Sequence, residues 1–240
     1  MIARLLTLTL LLSGCLSFHT GPLPGEPKKG TFAAIDDTRI HYTDSGGADR
    51  PLVLLHGFAS SLDAWKKLRP SLAGRRVIAL DLKGFGWSDR PEGDYSPEAQ
   101  ARLVFGLLDR LGVGQSDVVG HSWGASVALA MAMSKPKRVD RLVLMSAWAY
   151  ADQLPTFFVW ARSGLGEVLF SLFYRERVED RLTLAFHDKS HISQALVDKT
   201  EEAINQPGTV AAALAAVRGQ RYEEAEAKYP TVTHKTLLLW

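Results

Sequence analysis

Short, wholly apolar runs, separated by stretches with helical patterning, constrain this chain more than any other feature. Residues 52–55 read Leu-Val-Leu-Leu and residues 77–80 read Val-Ile-Ala-Leu. A strand with one face in water alternates apolar and polar side chains, so runs without alternation predict parallel strands covered on both faces. Residues 117–119 and 141–145 give two more strands. Between the runs lie expected helices over 62–68 and 97–111. The second carries Ser96 as N-cap, Pro97 at its first position and Gly112 as its stop. A third helix is expected to start just after Ser122 and to end at Lys135, because Pro136 disfavours helical geometry in the residue before it. Small residues dominate it, which predicts close packing on the sheet. Residues 31–35 and 39–43 read as a short strand pair turned at Asp36 and Asp37. Strands alternating with helices predict an α/β fold, with a mostly parallel sheet and helices on both faces.

From residue 147 to 229 the pattern changes to helical stretches with no strand. Trp148, Tyr150, Phe157, Phe158, Trp160, Phe170, Phe173 and Tyr174 crowd the first part. This reads as a helical cap inserted over the sheet, most of whose aromatic residues form the cap's own core. Residues 236–240 return to a strand pattern. The expected organisation is a leader over 1–14, a tether over 15–30, a core over 31–146, the cap over 147–230 and a returning core strand over 231–240. With 240 residues, 46% hydrophobic and 22% charged, the chain suits one domain with one sizeable core. Lys and Arg number 28 against 26 Asp and Glu, a net charge of +2 without long runs of either sign, which does not indicate nucleic acid as a partner.

The leader has Arg4, then an apolar run over 5–12 broken only by Thr7 and Thr9, too short for the roughly 20 residues that cross a bilayer. It ends in Leu12, Ser13, Gly14 and Cys15, which resembles the lipobox of bacterial lipoproteins. That resemblance implies cleavage before Cys15, a diacylglycerol on its thiol, acylation such as palmitate on the new amine, and a place in the bacterial cell envelope, attached to a membrane. An ordinary secretory signal containing a cysteine is the alternative. Cys15 is the chain's single cysteine, and lipidation accounts for an odd thiol in an exported protein. The following residues carry Gly21, Pro22, Pro24, Gly25, Pro27 and Gly30, a composition expected of a linker.

Gly120, His121, Ser122, Trp123 and Gly124 form a G-x-S-x-G pentapeptide between an expected apolar strand and an expected helix. A serine on so sharp a turn needs small residues two before and two after it. The turn raises the hydroxyl into the crevice at the carboxyl end of the sheet, with the helix N-terminus behind it. His56, Gly57 and Phe58 follow the first buried strand and resemble the loop that in α/β hydrolases offers a backbone N–H which, with that of the residue after the serine, binds an oxyanion. Those donors are expected on Phe58 and Trp123, supported by His56 and Gly57. The stretch Asp81, Leu82, Lys83, Gly84, Phe85, Gly86, Trp87, Ser88, Asp89, Arg90 and Pro91 is a third motif, D-x-x-G-x-G-x-S.

These three motifs, in this order, resemble the α/β-hydrolase superfamily, in its subgroup with a helical cap. The resemblance covers nearly all of residues 31–240. Its members include esterases, epoxide hydrolases, haloalkane dehalogenases, carbon–carbon bond hydrolases and cofactor-free haloperoxidases. Epoxide- and halide-processing relatives carry aspartate where Ser122 stands, so a serine here implies attack on a carbonyl and an acyl-enzyme. The expected activity is a serine hydrolase of carboxylic esters or related carbonyl compounds with a small apolar acyl substrate, without cofactor or metal.

A serine needs a histidine base and a carboxylate that orients it. The family places the acid just beyond the strand at 236–240 and the histidine one strand later, so both are expected past Trp240 in a longer protein. Within the chain, Asp152, His187, His191 and His234 are weak substitutes, and His121 reads as a packing or pocket residue because adjacent side chains diverge at such a turn. Two other functions stay open: an envelope-associated protein of the same fold without catalysis, and cofactor-free perhydrolysis.

Overall fold

The apolar runs fold as strands, and their two-residue side-chain period sets the layers. The computed structural model describes residues 16–154, 156–175 and 178–240, so the leader and Cys15 lie outside the described residues. Seven strands form one sheet: β1 (Thr31–Ile35), β2 (Thr38–Asp44), β3 (Leu52–Leu55), β4 (Val77–Leu80), β5 (Ser116–His121), β6 (Val139–Met145) and β7 (Lys235–Leu239). Their order is β1-β2-β4-β3-β5-β6-β7. β1, β2 and β4 pair antiparallel, while β4, β3, β5, β6 and β7 run parallel.

Val53, Leu55, Ile78, Leu80, Val118, Leu142 and Leu144 pack on one face with α1 (Pro97–Arg110) and α2 (Trp123–Ser134). Their neighbours in sequence, Leu52, Leu54, Val77, Ala79 and Val119, form a second cluster on the opposite face, covered by Leu62 and Trp65. The N-cap of α1 is as expected: the Ser96 hydroxyl accepts the Ala99 N–H at 3.2 Å. The helix expected over 62–68 is instead two 3-10 turns, Leu62–Trp65 and Arg69–Leu72. The Leu62 N–H is drawn to Asp81 Oδ1 at 2.6 Å. Pro70 has no N–H to give Lys66, so an α-helical ladder cannot continue there.

The cap contributes α3 (Thr156–Ala161), α4 (Gly166–Phe173), α5 (Val178–Ala185), α6 (Gln194–Asn205), α7 (Thr209–Arg218) and α8 (Tyr222–Glu226). Its aromatic residues divide: Phe158, Phe170 and Tyr174 are buried, whereas Tyr150, Trp160 and Phe173 are exposed. The expectation that most form the cap's core therefore holds for only part of the set: Trp160 of α3 and Phe173 of α4 lie at the surface.

The residues read as a tether lie along the molecule. His19 and Arg90 exchange both backbone hydrogen bonds, at 2.9 and 2.8 Å. Leu23 is buried, Phe18 stacks on Tyr95 at 6.1 Å, and Arg39 Nη1 donates to Glu26 Oε1 at 2.9 Å. Gln206, just after α6, donates to the Pro24 carbonyl at 3.1 Å. The strap thus touches core and cap together.

Candidate active site

β3 lies between β4 and β5: the chain passes from β3 to β4 on one side and then from β4 back across β3 to β5 on the other. The carboxyl ends of β3 and β5 flank the crevice that such a switch creates. His56, Gly57 and Phe58 leave β3 there, and Ser122 leaves β5.

Ser122 has φ 52° and ψ −119°, a conformation a side chain adopts only at a cost of order 1–3 kcal/mol. The surroundings impose it. The Ser122 N–H donates to Met145 O at 2.9 Å, and the Ser122 carbonyl accepts from Ala125 N at 3.0 Å and Trp148 N at 3.2 Å. The flanking glycines have steric reasons. A Cβ on Gly120 would sit 2.4 Å from Gly124 O, and one on Gly124 would sit 2.4 Å from Leu55 O and 2.6 Å from His56 O. α2 therefore begins almost touching the end of β3. A Cβ on Gly57 would lie 3.1 Å from Ser122 Cβ and 3.0 Å from His121 Nδ1, so Gly57 lets the loop after β3 close on the serine.

Trp123 opens α2, where the first N–H groups have no partner within the helix. Among the described residues, neither the Trp123 nor the Phe58 backbone N–H has an acceptor. Two free donors beside a strained serine can hold an anionic oxygen. The indole of Trp123 is buried against Phe85 (5.5 Å) and Phe58 (6.2 Å). Phe58 also meets the cap residues Phe158 (5.0 Å), Trp148 and Tyr174 (both 6.4 Å), which places an aromatic lid over the loop.

His56 is fully buried and bridges two loops. Its Nδ1–H donates to Gly57 O at 2.8 Å, and its Nε2 accepts the Leu82 N–H at 3.0 Å. Burial pushes its pKa below the usual histidine value, which keeps the ring neutral as that pattern requires. Asp81, also fully buried, accepts from Leu62 N, from Trp87 N at 2.8 Å and from His41 Nδ1 at 2.7 Å. A Cβ on Gly86 would fall 2.1 Å from the Asp81 carboxyl carbon, so the glycine lets the loop fold over the acid. No local pattern marks His41, forty residues away, as the partner of this acid. Arg90 is buried as well, donating to Gly86 O and Ser88 O at 2.8 Å and to Thr209 Oγ1 at 3.0 Å, at the start of α7. Burial lowers its pKa to about 10, so it stays charged at neutral pH and joins the loop to the cap.

The structure brings Ser122, Gly57, Phe58 and Trp123 together and leaves the weak substitutes apart. Asp152 sits in the 3-10 turn Ala151–Gln153, and His187 and His191 are exposed on the cap. His234 donates to Pro136 O at 2.9 Å, at the amino end of β6, opposite the serine. Among the described residues no imidazole or carboxylate hydrogen-bonds the Ser122 hydroxyl.

The chain belongs to the α/β hydrolase fold family, whose pattern matches residues 50–240. It is similar to a 2-hydroxymuconate semialdehyde hydrolase of Pseudomonas sp. (strain CF600), 41% identical over 50% of this chain and 44% of the relative. It is 34% identical to a 2-hydroxy-6-oxo-2,4-heptadienoate hydrolase of Pseudomonas putida, over 62% of each. These matches span from under half to under two thirds of those relatives' lengths. Among solved structures, wild-type Cfl2 from Burkholderia cenocepacia aligns with a TM-score of 0.76 and 28% identity, covering 91% of this chain and 83% of Cfl2.

Proposed function

We propose that the chain is a serine hydrolase of carboxylic esters or related carbonyl compounds, acting through an acyl-enzyme on Ser122. The strained backbone of Ser122 beside two free N–H donors carries this reading. Ser122 Oγ forms a bond to the carbonyl carbon and gives up its proton. The oxygen that becomes negative is held by the Phe58 and Trp123 N–H groups, with the partial positive charge of the α2 N-terminus behind it. Expulsion of the leaving group, which takes the proton, leaves the acyl-enzyme. Water then adds to it, releases the acid and returns a proton to the serine. The two hydrolase relatives are named for substrates that bear carbonyl groups, which supports the wider carbonyl class over esters alone. The aromatic lid around Phe58 suits an apolar acyl group.

A catalytically silent protein of the same fold is the second reading, favoured by the lack of an imidazole on Ser122 among the described residues. One experiment separates the two. A fluorophosphonate probe should label the protein on Ser122, and Ser122→Ala should abolish labelling; a folded wild type that never labels supports the silent reading. The lipobox-like end of the leader further supports membrane attachment through lipid on Cys15, on the outer side of a bacterial cell's inner barrier. Loss of membrane fractionation in Cys15→Ser tests this, and an unchanged distribution refutes it.

A further inference from the structure

We infer that the α3–α4 hairpin of the cap is a membrane-contacting face, turned toward the same bilayer that the Cys15 reading implies. In α4, Gly166, Phe170 and Tyr174 recur at helical spacing and point inward, with Phe170 stacked on Tyr174 at 4.9 Å. Leu165, Val168 and Leu172 recur at the same spacing on the outer side. Leu165 is 67% exposed and Leu172 54%, with Phe173 beside them at 55% and Trp160 of α3 at 60%. A helix apolar on both sides is expected to have a partner on both sides, and contiguous exposed apolar patches mark interaction surfaces.

The occupant follows from where the chain enters. Leu16, the first described residue, lies in a groove of about 390 Å³ with Phe18, Tyr95, Leu214, Arg218 and Glu167, the second residue of α4. The strap behind it is held by Arg90, Asp89 and Gln206, so this entry point is fixed. The described chain therefore begins beside α4, one residue in sequence after the proposed anchor. Among the described residues no helix is long and apolar enough to cross a membrane, and a short apolar face flanked by charge suits the surface layer. A tryptophan at the edge suits the interface between headgroups and acyl chains. Arg162, directly after α3, and Arg175, two residues past the end of α4, are both exposed and suit anionic headgroups.

The face rests in part on the Cys15 reading, and the test keeps the two apart. The full-length protein is bound to vesicles of phosphatidylethanolamine and phosphatidylglycerol with brominated acyl chains. Wild type should be quenched, with a several-fold smaller change in Trp160→Phe. The double variant Leu165→Glu/Leu172→Glu, altered only at outward positions, should lose the Trp160 quenching while still sedimenting with vesicles. Cys15→Ser reports on the anchor alone through sedimentation. Vesicle-bound wild type with unquenched Trp160 would overturn the inference. So would a dimer in solution that the double variant splits, which would assign the face to a second copy.

Discussion

Replacing His56 by leucine should cost more than its small change in volume suggests, and should also erase part of the protein's pH dependence. The ring satisfies two buried backbone groups, the Gly57 carbonyl and the Leu82 N–H, which leucine cannot. An orphaned buried polar group costs about 1–3 kcal/mol, so the loss should be about 2–6 kcal/mol. The pH effect has a definite direction. Burial lowers the folded-state pKa of His56, so the unfolded chain binds a proton near its ordinary value of about 6.5 that the folded chain refuses. This contribution is complete above about pH 6.5. It falls by about 1.4 kcal/mol per pH unit below that, until the folded pKa is reached. Urea denaturation of wild type and His56→Leu at about pH 7.5 and about pH 5.5 should therefore show a smaller gap at the lower pH. A gap below about 1 kcal/mol at the higher pH, or one that does not shrink with acid, would refute the assignment.

Three further outcomes follow from the site and its supports. Gly124→Ala should lower stability by about 1–3 kcal/mol or more in thermal melts, since its Cβ meets backbone oxygens at 2.4 and 2.6 Å that cannot step aside. Asp81→Ala should orphan the Leu62 and Trp87 N–H groups at about 1–3 kcal/mol each, and should slow fluorophosphonate labelling of Ser122 by loosening the loops. Arg39 holds the Glu26 carboxyl below its usual range, so strap docking is complete above about pH 4.5 and weakens as pH falls through the lowered value. Hydrogen-exchange protection at Gly21 and Leu23, relative to the intrinsic rate at each pH, should fall on acidification, and should already be low in Glu26→Gln at neutral pH.

The buried strands could be read from sequence because parallel strands covered on both faces leave an unbroken apolar run, and 52–55 and 77–80 coincide with β3 and β4. The serine turn was legible for a related reason: Gly120 and Gly124 have no room for a side chain, and that steric demand has a fixed spacing. Long-range polar pairing has no such local mark. His41 meets Asp81 across forty residues, and Arg90 meets Thr209 across more than a hundred. The helix expected over 62–68 failed because a distant carboxylate and a proline decided the local geometry. The linker composition of residues 18–30 concealed a docked strap, because glycine and proline allow sharp turns as readily as disorder.

β7 closes one edge of the sheet, and all five of its residues are exposed, with Trp240 after them more exposed still. Among the described residues no strand pairs with its outer side, and a short apolar strand with unpaired main-chain donors and acceptors is a template on which another extended segment can add. Expressed as residues 1–240 alone, the polypeptide should therefore self-associate through Leu237, Leu238 and Leu239 before the fold itself fails. A lysine at Leu238 should raise the concentration at which light scattering first appears, without moving the melting temperature.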